Sequence, residues 1–252
     1  MRPHSRVRLL PLILGAGAVF VSLAPGAQAQ QGPDFLFRRP WVGIGLSLGY
    51  AQPRAASDLF DFTREHLTVD KGDFGAPVFQ GEIAVRATEK LDIGVGVGWS
   101  GTRTRSEFRD WIGTDNLPIE QTTRFVRVPL TLVVKAYLYE RGRSLGRFAW
   151  VPAKWSPYVG GAVGGVWYKF EQDGEFVDYE TLDVYRDYYL SKGWAPTAHV
   201  LAGAELTLLP RVALTAEGRY SWGSTKLSRD FVDFDDIDLA GFQATGGVSL
   251  RF

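Results

Sequence analysis

Cysteine is absent from the 252 residues, so no disulfide can staple this fold, and its stability must come from backbone pairing and burial. An excess of charge of one sign is also missing. The 28 Lys and Arg residues balance 28 Asp and Glu, and no basic patch of the kind that tracks nucleic acid is present. Histidine is scarce: only His4, His66 and His199 occur. Long apolar runs are lacking beyond the first thirty residues, where no stretch reaches the roughly 18 residues that mark a membrane-spanning helix. No Gly-rich phosphate loop interrupts the chain, and the 29 glycines fall mostly inside alternating segments.

What is present begins with a basic start. Arg2, Arg6 and Arg8 stand among residues 1–8 with no acid, an apolar run covers 9–23, and Ala24-Pro-Gly-Ala-Gln-Ala29 follows. This order predicts a secretory signal peptide cleaved after Ala29. The apolar run is short of the roughly 20 residues an anchoring helix needs. The expected mature chain, 30–252, is a single domain with a net charge of −3.

Within it, side chains alternate with period two. Val42, Ile44, Leu46, Leu48 and Tyr50 alternate with glycines and Ser47. Leu91 to Trp99, Val128 to Leu138, Val212 to Trp222 and Ala240 to Phe252 repeat the pattern. A strand places successive side chains on opposite faces, so each such run reads as a strand with two different environments. Eight are expected: 41–51, 77–88, 91–102, 123–138, 157–170, 195–208, 212–224 and 239–252. Strands of this length exceed the usual 5–6 or so residues of soluble folds and match the roughly 9–11 that cross a bilayer.

The gaps 52–76, 103–122, 171–194 and 225–238 are long, whereas Glu89-Lys90 and Leu209-Pro210-Arg211 are tight turns. Short turns on one side and long loops on the other form the pattern of outer-membrane barrels. The segment 139–156 departs from it and leaves the pairing of the fourth and fifth strands open. The set opposite the apolar one includes Glu82, Arg86, Lys135, Glu205, Glu217 and Arg219, which cannot form a dry core. The apolar set must then face lipid. Trp41, Trp99, Trp155, Trp167, Trp194 and Trp222 lie near strand ends, as interfacial girdles require. The fold class is therefore all-β, an eight-stranded antiparallel up-and-down transmembrane β-barrel.

The final strand, Leu239-Ala-Gly-Phe-Gln-Ala-Thr-Gly-Gly-Val-Ser-Leu-Arg-Phe252, ends on an aromatic residue. Pro157-Tyr-Val-Gly-Gly-Ala-Val-Gly-Gly-Val and Leu201-Ala-Gly-Ala-Glu-Leu precede it. These segments resemble the small OmpX-, OmpA- and opacity-like outer-membrane barrels. The resemblance implies outer-membrane localisation in a Gram-negative bacterium. It also implies recognition of Phe252 by the barrel assembly machinery, and contact with lipid and lipopolysaccharide. It does not fix function, because one fold hosts many roles.

The six inward charges admit two readings, a structural network of ion pairs or a gated ion pathway, and the lumen of eight strands holds little beyond its own side chains. Lipid A deacylase barrels place a serine two residues after a histidine, whereas His199 is followed by Val200 and Leu201. His199 is expected to be a polar residue near the rim, and no catalytic residue is assigned. Asp230-Phe-Val-Asp-Phe-Asp-Asp-Ile-Asp238 lacks the spacing of a calcium loop, so neither a metal site nor a cofactor is assigned. The loop segments 52–75, 103–120, 171–193 and 228–238 carry nine basic and 21 acidic residues, a net charge of −12. The third loop adds Phe176, Tyr179, Tyr185, Tyr188 and Tyr189, either as a contact surface for an extracellular ligand or as a cap over the barrel mouth. The functional expectation is a non-enzymatic structural or surface-interaction role, with a small-solute or lipophile conduit or binding barrel as the alternative and a lipid A-modifying enzyme third.

Overall fold

The structure, a computed structural model, describes residues 35–113, 116–146 and 149–252. The expected signal peptide lies outside the described residues. In chain order the elements are β1 (Val42–Pro53), α1 (Asp58–His66), β2 (Ala76–Arg86), β3 (Leu91–Ile112), β4 (Pro118–Tyr137), β5 (Gly142–Leu145), β6 (Ala149–Pro152), β7 (Trp155–Val177), β8 (Val184–Leu209), β9 (Val212–Trp222), β10 (Ser224–Thr225), β11 (Ile237–Asp238) and β12 (Gly241–Arg251). Two short 3-10 turns, Lys71–Phe74 and Arg229–Phe231, sit in the long connections.

Eight of these strands close one antiparallel barrel in the order β1-β12-β9-β8-β7-β4-β3-β2. The first and last strands meet in register from Gly43 opposite Arg251 to Pro53 opposite Gly241. Beyond Arg251, the Phe252 amide donates to the Val42 carbonyl at 2.8 Å, and the Phe252 carbonyl accepts from the Trp41 amide at 2.7 Å. Closure leaves no open sheet edge, which lipid would not tolerate. Antiparallel neighbours also settle the pairing left open by residues 139–156: β4 runs against β7 without a break from Gln121–Gly174 to Tyr137–Tyr158.

The two faces separate as the alternation requires. Leu132 and Val95 are 51 % and 53 % exposed on the outside, and Ile44, Leu46, Ile83, Val163, Val200 and Leu250 share that face. Aromatic side chains bound this aliphatic band at two levels. Trp41, Trp155 and Phe252 are exposed at the end with the chain termini. Phe79 and Trp99 are cross-strand partners at the other end, as are Trp167 and Trp194, while Trp222 is exposed at that same level. An outward apolar band between aromatic girdles is the surface a bilayer covers.

Four strands overrun the spans expected from the sequence. β3 continues to Ile112, β4 begins at Pro118, β7 continues to Val177, and β8 begins at Val184 rather than residue 195. Much of the second and third loops is therefore sheet. The reason is visible at residues 100–108. Ser100, Thr102, Thr104, Ser106 and Phe108 keep one face, but the other carries Arg103, Arg105 and Glu107. Above the girdle the outer face meets water, so the alternation persists without its apolar half.

The long connections fold into a cap with its own apolar core. Leu59 and Phe60 from α1, with Phe74, Ile119, Phe125, Tyr168, Phe170, Phe231 and Ile237, are buried together. Phe60 packs edge-on against Phe74, Phe125 and Phe170 at centroid distances of 5.0, 5.5 and 5.8 Å. The expectation of an inner face made of small and charged residues is thus corrected for the half away from Phe252, where aromatic side chains point inward and the first and fourth loops cover them.

Candidate functional site: a charged lumen beneath an aromatic cap

Glu82, Lys135, Glu217 and Arg219 point inward from β2, β4 and β9 and meet in one closed ring. Lys135 Nζ lies 2.6 Å from Glu82 and 3.5 Å from Glu217. Arg219 lies 2.8 Å from Glu217 and 4.0 Å from Glu82. Arg219 and Glu217 are two residues apart on one strand, which puts both on the same face. Tyr158 donates its hydroxyl to Glu217 Oε2 at 2.9 Å, and its ring lies 5.0 Å from Lys135 Nζ. Two acids and two bases leave the ring with no net formal charge, the condition under which buried ions are tolerated.

Gly203 makes room for this arrangement. A Cβ there would stand 2.4 Å from the Ala216 carbonyl and 2.7 Å from the Tyr158 hydroxyl.

A second layer lies toward the chain termini. Arg251 pairs with Glu205 at 2.6 Å and donates to Thr207 Oγ1 at 3.0 Å, while Tyr137 donates to Glu205 Oε1 at 2.9 Å. Residues 139–156 supply the closure below. Strands β5 and β6 pair as a small hairpin, and Trp150 on it is buried and bridges to Leu36. Arg141, just before the hairpin, donates to both oxygens of Asp92 at 2.5 and 2.6 Å and covers the Tyr137 ring at 4.0 Å.

Of the six charges expected to share the lumen, the structure brings four into one ring. It sets Glu205 in the layer below and turns Arg86 onto the Trp150 ring, at 5.2 Å. The partners Asp92, Arg141 and Arg251 were missed. Asp92 and Arg251 were on the inward register and could have been found by alternation alone. Arg141 lies outside any long alternating run and carried no such signal.

His199 is corrected as well. It lies inside the lumen at 7 % exposure rather than at the rim, because β8 starts eleven residues before the expected strand. Its Nε2 sits 3.1 Å from Thr197 Oγ1, which in turn donates to the Trp222 carbonyl at 2.8 Å. Two of the fourth-loop carboxylates have local partners. Asp238 pairs with Arg54 at 2.9 Å and accepts from the Ala56 amide, and Asp230 accepts from the Leu190 amide at 3.0 Å.

Free space inside the barrel is small. A polar cavity of about 70 Å³ lies among Glu82, Lys135, Glu217 and Arg251, and one of about 30 Å³ lies near His199 and Arg127. A larger cleft of about 240 Å³ opens in the cap, where α1, the ends of β3 and β7, the start of β8 and the fourth loop converge. Its walls are rings: Phe176 meets Tyr189 at 4.7 Å and Phe62 meets Phe234 at 5.4 Å between centroids. The Tyr185 and Tyr189 hydroxyls share a hydrogen bond of 2.8 Å. Burial, and then that hydrogen bond, push the Tyr189 phenol well above its ordinary range. The reading of the third-loop aromatics as a cap is the one the packing shows. They pack as a cap, and their upper faces line an opening.

No family model and no curated protein matches the sequence. Among solved structures the chain is similar to the outer membrane protein OprG from Pseudomonas aeruginosa, with 12 % identity, a TM-score of 0.46, and coverage of 86 % of this chain and 98 % of that one. It is similar to Neisserial surface protein A, with 10 % identity, a TM-score of 0.44, and coverage of 84 % and 97 %. It is also similar to outer membrane protein W of E. coli, with 16 % identity, a TM-score of 0.39, and coverage of 86 % and 100 %. The closed sheet, its outward apolar band and its charged interior establish the fold: the chain is an eight-stranded, antiparallel up-and-down transmembrane β-barrel.

Proposed function

We propose that this barrel is non-enzymatic and does not conduct, and that its role is exercised by the cap it holds above the membrane. The observation that carries the reading is that the lumen is occupied along its length. The aromatic core of the cap fills the extracellular half, the four-charge ring crosses the middle, and Arg141 and Trp150 of the hairpin segment close the far end. An eight-stranded barrel has an interior just wide enough for side chains, and here they fill it.

The cap is suited to contact. Beyond the girdle at Trp167 and Trp194, β7 runs on to Val177 and β8 begins at Val184, so ten residues of each project past the bilayer as a paired ribbon. Its acidic residues suit an outer surface where divalent ions bridge lipopolysaccharide. On this reading the chain reaches the membrane by cleavage after Ala29, and the assembly machinery engages the last strand at Phe252.

The test is electrical. Refolded protein in planar bilayers is expected to give no stepwise current at moderate voltage, and steady unitary conductance would overturn the closed-barrel reading in favour of a conduit.

A further inference from the structure

The cleft in the cap has a chemistry that selects its occupant. Eight of its fifteen lining residues are Phe or Tyr, and the lining contains one carboxylate, Asp230, and no lysine or arginine. Ring faces carry negative electrostatic potential and attract a cation within about 6 Å of the centroid. Three arginines around the cap are engaged elsewhere. Arg64 pairs with Asp61 and Arg105 with Glu120, and Arg109 donates to the carbonyls of Arg64 and Leu67. The loops around the opening hold nine basic against 21 acidic residues. The field is felt locally: burial raises the Tyr179 phenol first, and the Glu65 carboxylate raises it further. The volume, about 240 Å³, is below the roughly 300–1,000 Å³ of pockets that take drug-sized molecules, so it fits one side chain or headgroup.

We infer that the cleft formed by Phe62, His66, Phe176, Tyr185, Tyr189 and Phe234 receives a lysine or arginine side chain of a partner protein, drawn in by the acidic loops around it. The inference rests on the surface-interaction reading above and names its ligand chemistry. The rings hold the cation by their faces, and Asp230 supplies the one charged acceptor. The loop carboxylates draw a basic segment from a distance that shrinks with salt.

The test uses the full barrel refolded in detergent micelles and a blocked nonapeptide of alternating glycine with arginine. The control is the same peptide with each arginine replaced by citrulline, which keeps the shape and removes the charge. The arginine peptide is expected to bind at least tenfold more tightly. Phe62→Leu and Tyr189→Leu, each apolar but without a ring face, are expected to weaken it about threefold or more. Glu140→Gln, exposed just past the end of β4 at the opposite end of the barrel, should change affinity little. Heat-modifiable gel mobility establishes that each variant is folded.

Equal affinity for the citrulline peptide would overturn the cation inference and make the cleft a neutral apolar pocket. A preference for arginine untouched by the Phe62 and Tyr189 substitutions would also overturn it, because binding would then belong to the acidic rim alone. No binding of either peptide overturns it too. None of these results would open the lumen, so silent bilayers would leave the closed-barrel reading standing, and a conducting barrel would fail that reading whatever the peptides do.

Discussion

Arg141 enters from below the barrel to grip Asp92, the first inward residue of β3, with two guanidinium nitrogens at 2.5 and 2.6 Å. The pair ties residues 139–156 to the sheet, and it is buried on both sides, at 6 % and 10 % side-chain exposure. Truncating one partner of such a pair leaves an uncompensated buried charge. Arg141→Ala is therefore expected to cost about 3–5 kcal/mol in urea titrations of the refolded barrel. Asp92→Asn combined with Arg141→Gln should cost clearly less than the sum of the two single substitutions, because no lone ion remains. Additive costs would mean that the hairpin segment is not held through this contact.

The ring in the middle of the lumen makes a parallel prediction. Glu217→Gln leaves Lys135 and Arg219 sharing only Glu82, and the ring acquires a net positive charge. A loss of about 3–5 kcal/mol is expected. Glu217→Gln with Arg219→Gln restores neutrality and should recover part of it. A double-mutant cycle in urea checks the coupling, and strict additivity would show that the two residues do not act as a unit.

Gly203 sets a steric limit that can be separated from the hydrogen bond it accommodates. Tyr158→Phe removes one donor to a charged acceptor and is expected to cost about 1.5–3 kcal/mol. Gly203→Val also collides with the Ala216 carbonyl, which no side-chain rearrangement relieves. It should therefore cost more than Tyr158→Phe, and it should remain destabilising in the Tyr158→Phe background. Full rescue there would mean that the backbone contact is easily relaxed.

The legibility of the fold followed the solvent. Where lipid covers the outside, as at Ile93, Val95 and Val97 on β3, alternation of apolar with small residues marked each strand and its faces. Where water covers the outside, as at Arg103 and Arg105, the same strand continued with a polar outer row and read as a loop. The cap was hidden for another reason. Phe60, Phe125, Phe170 and Phe231 come from four separate segments and meet only after the sheet closes, so no local period announces them. Glu82, Lys135, Glu217 and Arg219 could be assigned to one face by parity. Which acid meets which base depends on strand stagger, which the sequence does not display.

The assignment of faces carries everything else, and the absence of native cysteine makes it directly measurable. Leu132 lies between Val95 and Val163 in register, within the aliphatic band. Arg at this level is expected to cost about 2–4 kcal/mol, so Leu132→Arg should lower the folded fraction strongly. The sharper measurement is labelling of Leu132→Cys and Glu217→Cys, each reconstituted in liposomes, with a maleimide confined to the lipid phase. The account predicts rapid labelling at position 132 and none at position 217. Labelling at position 217 with protection at position 132 would contradict it, because the charged ring would then face the membrane and the apolar band the interior.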